Sequence, residues 1–200
     1  MHAIPLALIY LRLLLGVVLF ALSWWSWPGY GAFAVALMAF GLLSDVFDGI
    51  VARHLGVSTT RLRRLDSAVD QLFWCLVAGA CLVVWPGFFR QNYLPITVLL
   101  GLEAATYALS YLRFRREVAT HSLGAKLWTL LLFATLAQVL LSGDSRLLFF
   151  GCVGVGILSR VEILSILVVL PRWTNDVPSL YHAIRLRQGK AIRRNQLFNG

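Results

Sequence analysis

The chain has 200 residues, of which 59% are hydrophobic and 14% are charged, and its formal net charge is +9. Soluble domains are usually about 45–50% apolar, so this composition excludes an ordinary soluble protein. Because a membrane helix needs about 20 apolar residues, a chain of this length holds six short-looped spans and leaves no room for a separate soluble domain.

Long apolar runs predict an all-α polytopic membrane protein, a bundle of six transmembrane helices. The predicted spans cover residues 5–24, 31–54, 66–84, 93–112, 123–141 and 147–170. The first run is similar to a signal peptide, but no charge precedes it and Arg12 interrupts it, so we expect it to be retained as a helix. Residues 1–170 are therefore predicted to form the membrane domain, and the polar, basic residues 171–200 a cytoplasmic or interfacial tail.

The basic residues concentrate in three regions that a six-span topology places on one side of the membrane. These regions are residues 53–64, residues 113–116 and the tail. Since cytoplasmic loops are enriched in Lys and Arg, both termini are predicted to be cytoplasmic in a multi-pass protein of the cell membrane. By analogy with compact bacterial proteins, this is the cytoplasmic, or inner, membrane. Anionic lipid headgroups explain the basic face more simply than nucleic acid does, so we expect membrane lipids and no nucleic acid as partners.

Four of the nine acidic residues lie close together in the predicted second and third spans: Asp45, Asp48, Asp66 and Asp70. An aspartate at the centre of a membrane helix costs about 2.5–3.5 kcal/mol on insertion scales, so such residues usually face the bundle interior and have a function. The spacing places each pair on one helix face. If the two helices face each other, all four carboxylates reach one site, where Mg²⁺ or Mn²⁺ and the phosphates of a substrate fit.

Small and basic residues share this part of the second span. Gly49 and Ala52 lie on the face of the aspartates, where small side chains let a bulky ligand approach the backbone or, alternatively, let two helices pack closely. Arg53 offers a planar fork of donors for phosphate.

The stretch from Asp45 to Asp70 resembles the signature of the CDP-alcohol phosphatidyltransferases, D-x2-D-G-x2-A-R-x8-G-x3-D-x3-D. One fixed position differs, because Leu62 stands where the signature has its second glycine. The resemblance implies an enzyme of phospholipid synthesis that transfers a phosphatidyl group from a CDP-linked lipid, such as CDP-diacylglycerol, to an acceptor alcohol and releases CMP. It implies a homodimer with an active site open to the cytoplasmic leaflet.

The resemblance also implies roles for individual residues. Asp70 is expected to act as general base and, with three further carboxylates, to hold the divalent metal. The metal ligands are then Asp45, Asp48, Asp66 and Asp70, and the CDP moiety contacts Gly49, Ala52 and Arg53. Leu62 is expected to narrow or reshape the cytidine site.

Acceptor binding is predicted for Arg113, Lys126 and Arg160, whose charges suit an acceptor phosphate. Two alternatives remain open. Arg113 and Lys126 also fit a role in keeping their loop cytoplasmic, and Arg160 also fits an ion pair with Glu103 or Glu162. Arg12 is another charged residue within a span, and for it too both an ion pair and a contact with an acceptor phosphate remain open.

Two other functions compete with the enzyme. A family member that keeps the fold but acts as a non-catalytic membrane partner is compatible with Leu62. A small cation transporter also uses intramembrane carboxylates. The clustering of the aspartates towards one end of their spans argues against a transport pathway.

Overall fold

The computed structural model describes residues 3–25, 27–54, 60–116, 123–174 and 177–190. In these ranges the chain forms eight α-helices and no strand, which confirms the predicted all-α class. The helices are α1 (Ala3–Leu22), α2 (Tyr30–His54), α3 (Thr60–Val84), α4 (Pro86–Gln91), α5 (Tyr93–Phe114), α6 (Leu123–Ser142), α7 (Arg146–Val169) and α8 (Leu180–Arg187).

Five of the described helices are long and apolar enough to cross a membrane, namely α1, α3, α5, α6 and α7. The apolar part of α2 is shorter and covers Tyr30–Asp45, because the rest of this helix carries Asp48 and Arg53. The chain is therefore a polytopic helical membrane protein. The count of six spans stays a prediction.

Three differences from the predicted elements have simple causes. Helix α3 begins at Thr60 instead of residue 66, because its first turns are basic and do not contribute to an apolar run. Helix α4 is too short to stand out as a span, and it starts with Pro86, a residue favoured at the first helical position. Helix α8 lies within the predicted basic tail and is only eight residues long.

The first of two compact units comprises Met1–Gln91 and Leu136–Ser145. Within it, α1 packs along both α2 and α3, whereas α2 and α3 make few direct contacts with each other. Helix α1 therefore lies largely between the two helices that carry the four aspartates. The interior of this unit is apolar, and its fully buried side chains include Ile9, Leu19, Met38, Phe73, Val77 and Val139.

The second unit comprises Asn92–Thr135 and Arg146–Gly200. Helix α5 packs along α7, and α8 packs against α7 as well. The chain between α7 and α8 is anchored by an apolar cluster made of Ile166, Leu170, Val177 and Ala183. Phe114 and Leu186 pack against this cluster, so the ends of α5, α7 and α8 share one small core.

Candidate active site

Arg12 lies at the middle of α1, and its side chain is completely buried. Its guanidinium contacts carboxylates from both neighbouring helices. Nη1 is 2.6 Å from Oδ1 of Asp45 on α2 and 3.6 Å from Oδ1 of Asp70 on α3, and Nη2 is 3.1 Å from Oδ1 of Asp66. The three carboxylates are each about one-third exposed, so the site is closed on the arginine side and open on the other.

A hydrogen bond beside Asp45 fixes α2 against α1. The buried hydroxyl of Ser44 donates to the carbonyl oxygen of Leu8 at 3.0 Å. Leu8 lies one helical turn before Arg12, and Ser44 directly precedes Asp45. This bond therefore sets the register in which the carboxylate of α2 meets the guanidinium of α1.

A buried aromatic ring fixes α3 in the same way. Phe73, one turn after Asp70, has no exposed surface, and its ring lies against Gly16 of α1 and Gly41 of α2. A Cβ added at Gly16 would come within 3.0 Å of Cδ2 of the ring, and one added at Gly41 within 2.7 Å of Cε2. We call these two glycines the glycine notch. The notch lies one turn from Arg12 on α1 and one turn from Asp45 on α2, so it positions α3 directly beside the charges.

The donor atoms of the site are carboxylate oxygens. Asp45, Asp66 and Asp70 share contacts with one guanidinium. Carboxylate oxygens are the donors that Mg²⁺ and Mn²⁺ prefer, so the chemistry of this donor set fits a divalent cation.

The spacing of these carboxylates is set by the arginine. Among the described residues, no group of three or more His, Cys, Asp or Glu side chains is arranged to hold a metal ion. The three carboxylates converge on the guanidinium instead. We expected α2 and α3 to face each other across the site. In the structure, α1 lies largely between them instead.

Other predicted site residues lie partly outside the described part of the chain. The backbone of Asp48, Gly49, Ala52 and Arg53 belongs to α2, but their side chains are outside the described residues, so their roles stay predictions. Leu62 is half-buried in the first turn of α3.

The predicted acceptor-binding residues lie on three different helices, and their joint role stays a prediction. Arg113, at the end of α5, donates from Nη2 to the carbonyl oxygen of Leu170 at 3.2 Å. Arg160 lies on α7, ten residues before Leu170, which directly follows the end of this helix, and ten helical residues span about 15 Å. Lys126 is exposed in the first turn of α6.

Arg160 is held by two neighbours. Its Nε pairs with Oε2 of Glu103 on α5, and its guanidinium lies 4.6 Å from the ring centre of Trp128 on α6. The ion pair with a glutamate, one of the two roles left open by the sequence, is therefore present. A role of Arg160 towards the acceptor stays a prediction.

Sequence reasoning left the part of Arg12 undecided, although this residue organises the site. The available signal was a single arginine at the centre of an apolar span, which needs a partner in the membrane. Four nearby aspartates could supply one. The sequence could not reveal that α1 packs between α2 and α3.

The fold and the site together define a polytopic helical membrane protein in which three carboxylates converge on one buried arginine. The family model for CDP-alcohol phosphatidyltransferase matches residues 2–170. The chain therefore belongs to the CDP-alcohol phosphatidyltransferase family, whose members transfer a phosphoalcohol group from a CDP-alcohol and are generally divalent-metal dependent. No curated protein and no solved structure matches the chain.

Proposed function

We propose that the chain transfers the phosphatidyl group of a CDP-linked lipid, such as CDP-diacylglycerol, to the hydroxyl of an acceptor alcohol and releases CMP. The observation that carries this proposal is the convergence of Asp45, Asp66 and Asp70 from two helices on one buried guanidinium, in a chain of this family. These carboxylates are open on one side, where a phosphate-bearing substrate and its metal have access.

In the proposed reaction, the oxygen of the acceptor hydroxyl forms a bond to the phosphorus that carries the lipid. The bond from that phosphorus to the oxygen shared with CMP breaks, and CMP leaves with this oxygen. Asp70 accepts the hydroxyl proton, a role that needs a carboxylate within hydrogen-bond reach of the acceptor. Its side chain is 36% exposed, which gives a hydroxyl access to it.

In this proposal Asp45, Asp48 and Asp66 would hold the metal, and Asp70 would contact it as well. Bound Mg²⁺ or Mn²⁺ supplies neutralisation of the diphosphate and of the charge on the departing CMP. Gly49 and Ala52 leave room for the CDP moiety beside α2, and Arg53 binds its phosphates.

The experiment is CMP release by the purified protein from CDP-diacylglycerol with Mg²⁺. The acceptor panel contains glycerol 3-phosphate, inositol phosphate, inositol, serine, choline and phosphatidylglycerol. Asp70→Asn should abolish acceptor-dependent release, whereas Asp144→Asn, the same change at an exposed aspartate outside the site, should not. Near-normal turnover in Asp70→Asn removes the general-base assignment.

A second function, that of a non-catalytic family member acting as a membrane partner, is favoured by one observation. Leu62 replaces the glycine expected near the nucleotide. Under this alternative the protein binds Mn²⁺ but releases no CMP with any acceptor. Leu62→Gly then separates the transferase from the non-catalytic partner. A gain of CMP release in this variant identifies a nucleotide site that Leu62 has narrowed.

We also propose a homodimer in the cytoplasmic membrane, with both termini and the active site on the cytoplasmic side. The basic connections and tail support this orientation. Labelling of single cysteines introduced at either terminus in sealed vesicles tests the orientation, and the protein mass measured in detergent tests the dimer.

A further inference from the structure

Arg12 has the largest fully buried side chain among the described residues, and the proposed reaction gives it no role. A buried cation in a membrane helix is costly unless it is paired. Here the guanidinium reaches carboxylates on both helices that pack against α1. Its position at the centre of the proposed metal site therefore needs an explanation beyond helix packing.

We propose that Arg12 is a positioning residue that acts as the resident counter-ion of the metal site. It holds Asp45, Asp66 and Asp70 together in the metal-free protein and competes with the divalent cation for them. This inference rests on the proposed function, because it assumes that these carboxylates bind the metal.

The geometry of the contacts supports the first part of this role. The planar fork of an arginine presents several donors in fixed directions. Nη1 contacts Asp45 and Asp70 together, and Nη2 contacts Asp66, so one side chain joins α2 and α3 through α1. A lysine has a single nitrogen and cannot reproduce this arrangement.

The charges support the second part. Each carboxylate has room for more than one partner, so a metal ion can bind while some contacts with Arg12 remain. The guanidinium and the metal then repel each other across the shared carboxylates. Because like charges that share the same carboxylates repel each other, Arg12 would lower the metal affinity of the site, by about tenfold for charges a few ångströms apart.

The test compares Arg12→Gln and Arg12→Lys with the wild type and with Arg146→Gln, an exposed arginine at the start of α7. Mn²⁺ binding is measured by electron paramagnetic resonance, and thermal unfolding is followed in EDTA and in Mg²⁺. We expect Arg12→Gln to have a lower unfolding midpoint than the wild type in EDTA and a larger rise of this midpoint when Mg²⁺ is added. We also expect it to bind Mn²⁺ about tenfold more tightly. Arg146→Gln should match the wild type in all three.

Arg12→Lys keeps the charge but not the fork, so it should lose stability in EDTA and bind Mn²⁺ with nearly wild-type affinity. It also serves as the test if Arg12→Gln does not fold. Unchanged stability of either variant in EDTA, or unchanged or weaker Mn²⁺ binding by Arg12→Gln, overturns the inference. If the wild type itself binds no Mn²⁺, the proposed function fails instead.

Discussion

Replacing Gly41 by alanine tests whether the glycine notch positions the candidate site. The added Cβ would come within 2.7 Å of Cε2 of Phe73, whose ring has no exposed surface and so cannot swing into free space. Overpacking of this kind costs about 1–3 kcal/mol. Alanine stabilises a helix by about 0.5–1 kcal/mol relative to glycine, so we expect a net loss of about 1–2 kcal/mol.

In a chain of this length, 1 kcal/mol shifts the unfolding midpoint by about 2–4 °C, so the midpoint of Gly41→Ala should fall by about 2–8 °C. The matched control is Gly154→Ala on α7, where an added Cβ meets nothing within 4 Å. This variant should be as stable as the wild type or slightly more stable. Both are measured by thermal unfolding in the same detergent.

Activity gives a second readout of the same change. A displaced Phe73 moves Asp70, one turn away on α3, and a small misplacement of a reacting group costs about tenfold or more in rate. The double variant Gly41→Ala/Phe73→Leu makes room for the new methyl group and should recover part of the loss. If Gly41→Ala is as stable and as active as Gly154→Ala, the notch does not position α3 and the reasoning is wrong.

Three further predictions concern other contacts of the described residues. Glu103→Gln leaves the charge of Arg160 buried without its carboxylate and should lower the stability by about 3 kcal/mol. The double variant Glu103→Gln/Arg160→Met should have a stability closer to that of the wild type, and equal unfolding midpoints for the single and double variants would contradict this. Tyr30→Phe removes a buried hydroxyl that donates to the carbonyl oxygen of Leu19 at 2.8 Å. We expect thermal unfolding to show a stability loss of about 1 kcal/mol, and an unchanged midpoint would contradict a stabilising role for this hydrogen bond. Gly143→Ala should cost at least about 1 kcal/mol, because φ is +78° and the new Cβ would lie 2.8 Å from the Trp85 ring, while Gly151→Ala, in open space, serves as its control; similar midpoints for the two would refute the argument.

The helices could largely be predicted from the sequence because each long apolar run stands out from the polar residues around it. The same criterion failed where a helix is polar or short. It missed the first turns of α3, which begin at Thr60, and it missed α4 and α8. Local composition therefore predicted the apolar segments better than the helices that contain them.

The candidate site could be predicted as a set of residues but not as an arrangement. Spacing along α2 and α3 indicated which aspartates share a face, since this depends only on helix geometry. The contacts of Arg12 depend on how α1 packs, which no local pattern encodes. For Arg160 the sequence offered Glu103 and Glu162 equally, and the packing of α5 along α7 selects Glu103.

The buried arginine also constrains the order in which the chain can enter a bilayer. Helix α1 precedes α2 and α3 in the chain, so Arg12 reaches the membrane before any of its aspartate partners does. An arginine at the centre of a helix costs about 2.5–3.5 kcal/mol during insertion, which the apolar residues of α1 must offset alone. That cost is first relieved when α2 brings Asp45 to the guanidinium, and further when α3 brings Asp66 and Asp70. A nascent chain released after α1 therefore carries an uncompensated charge in lipid, whereas one released after α3 does not.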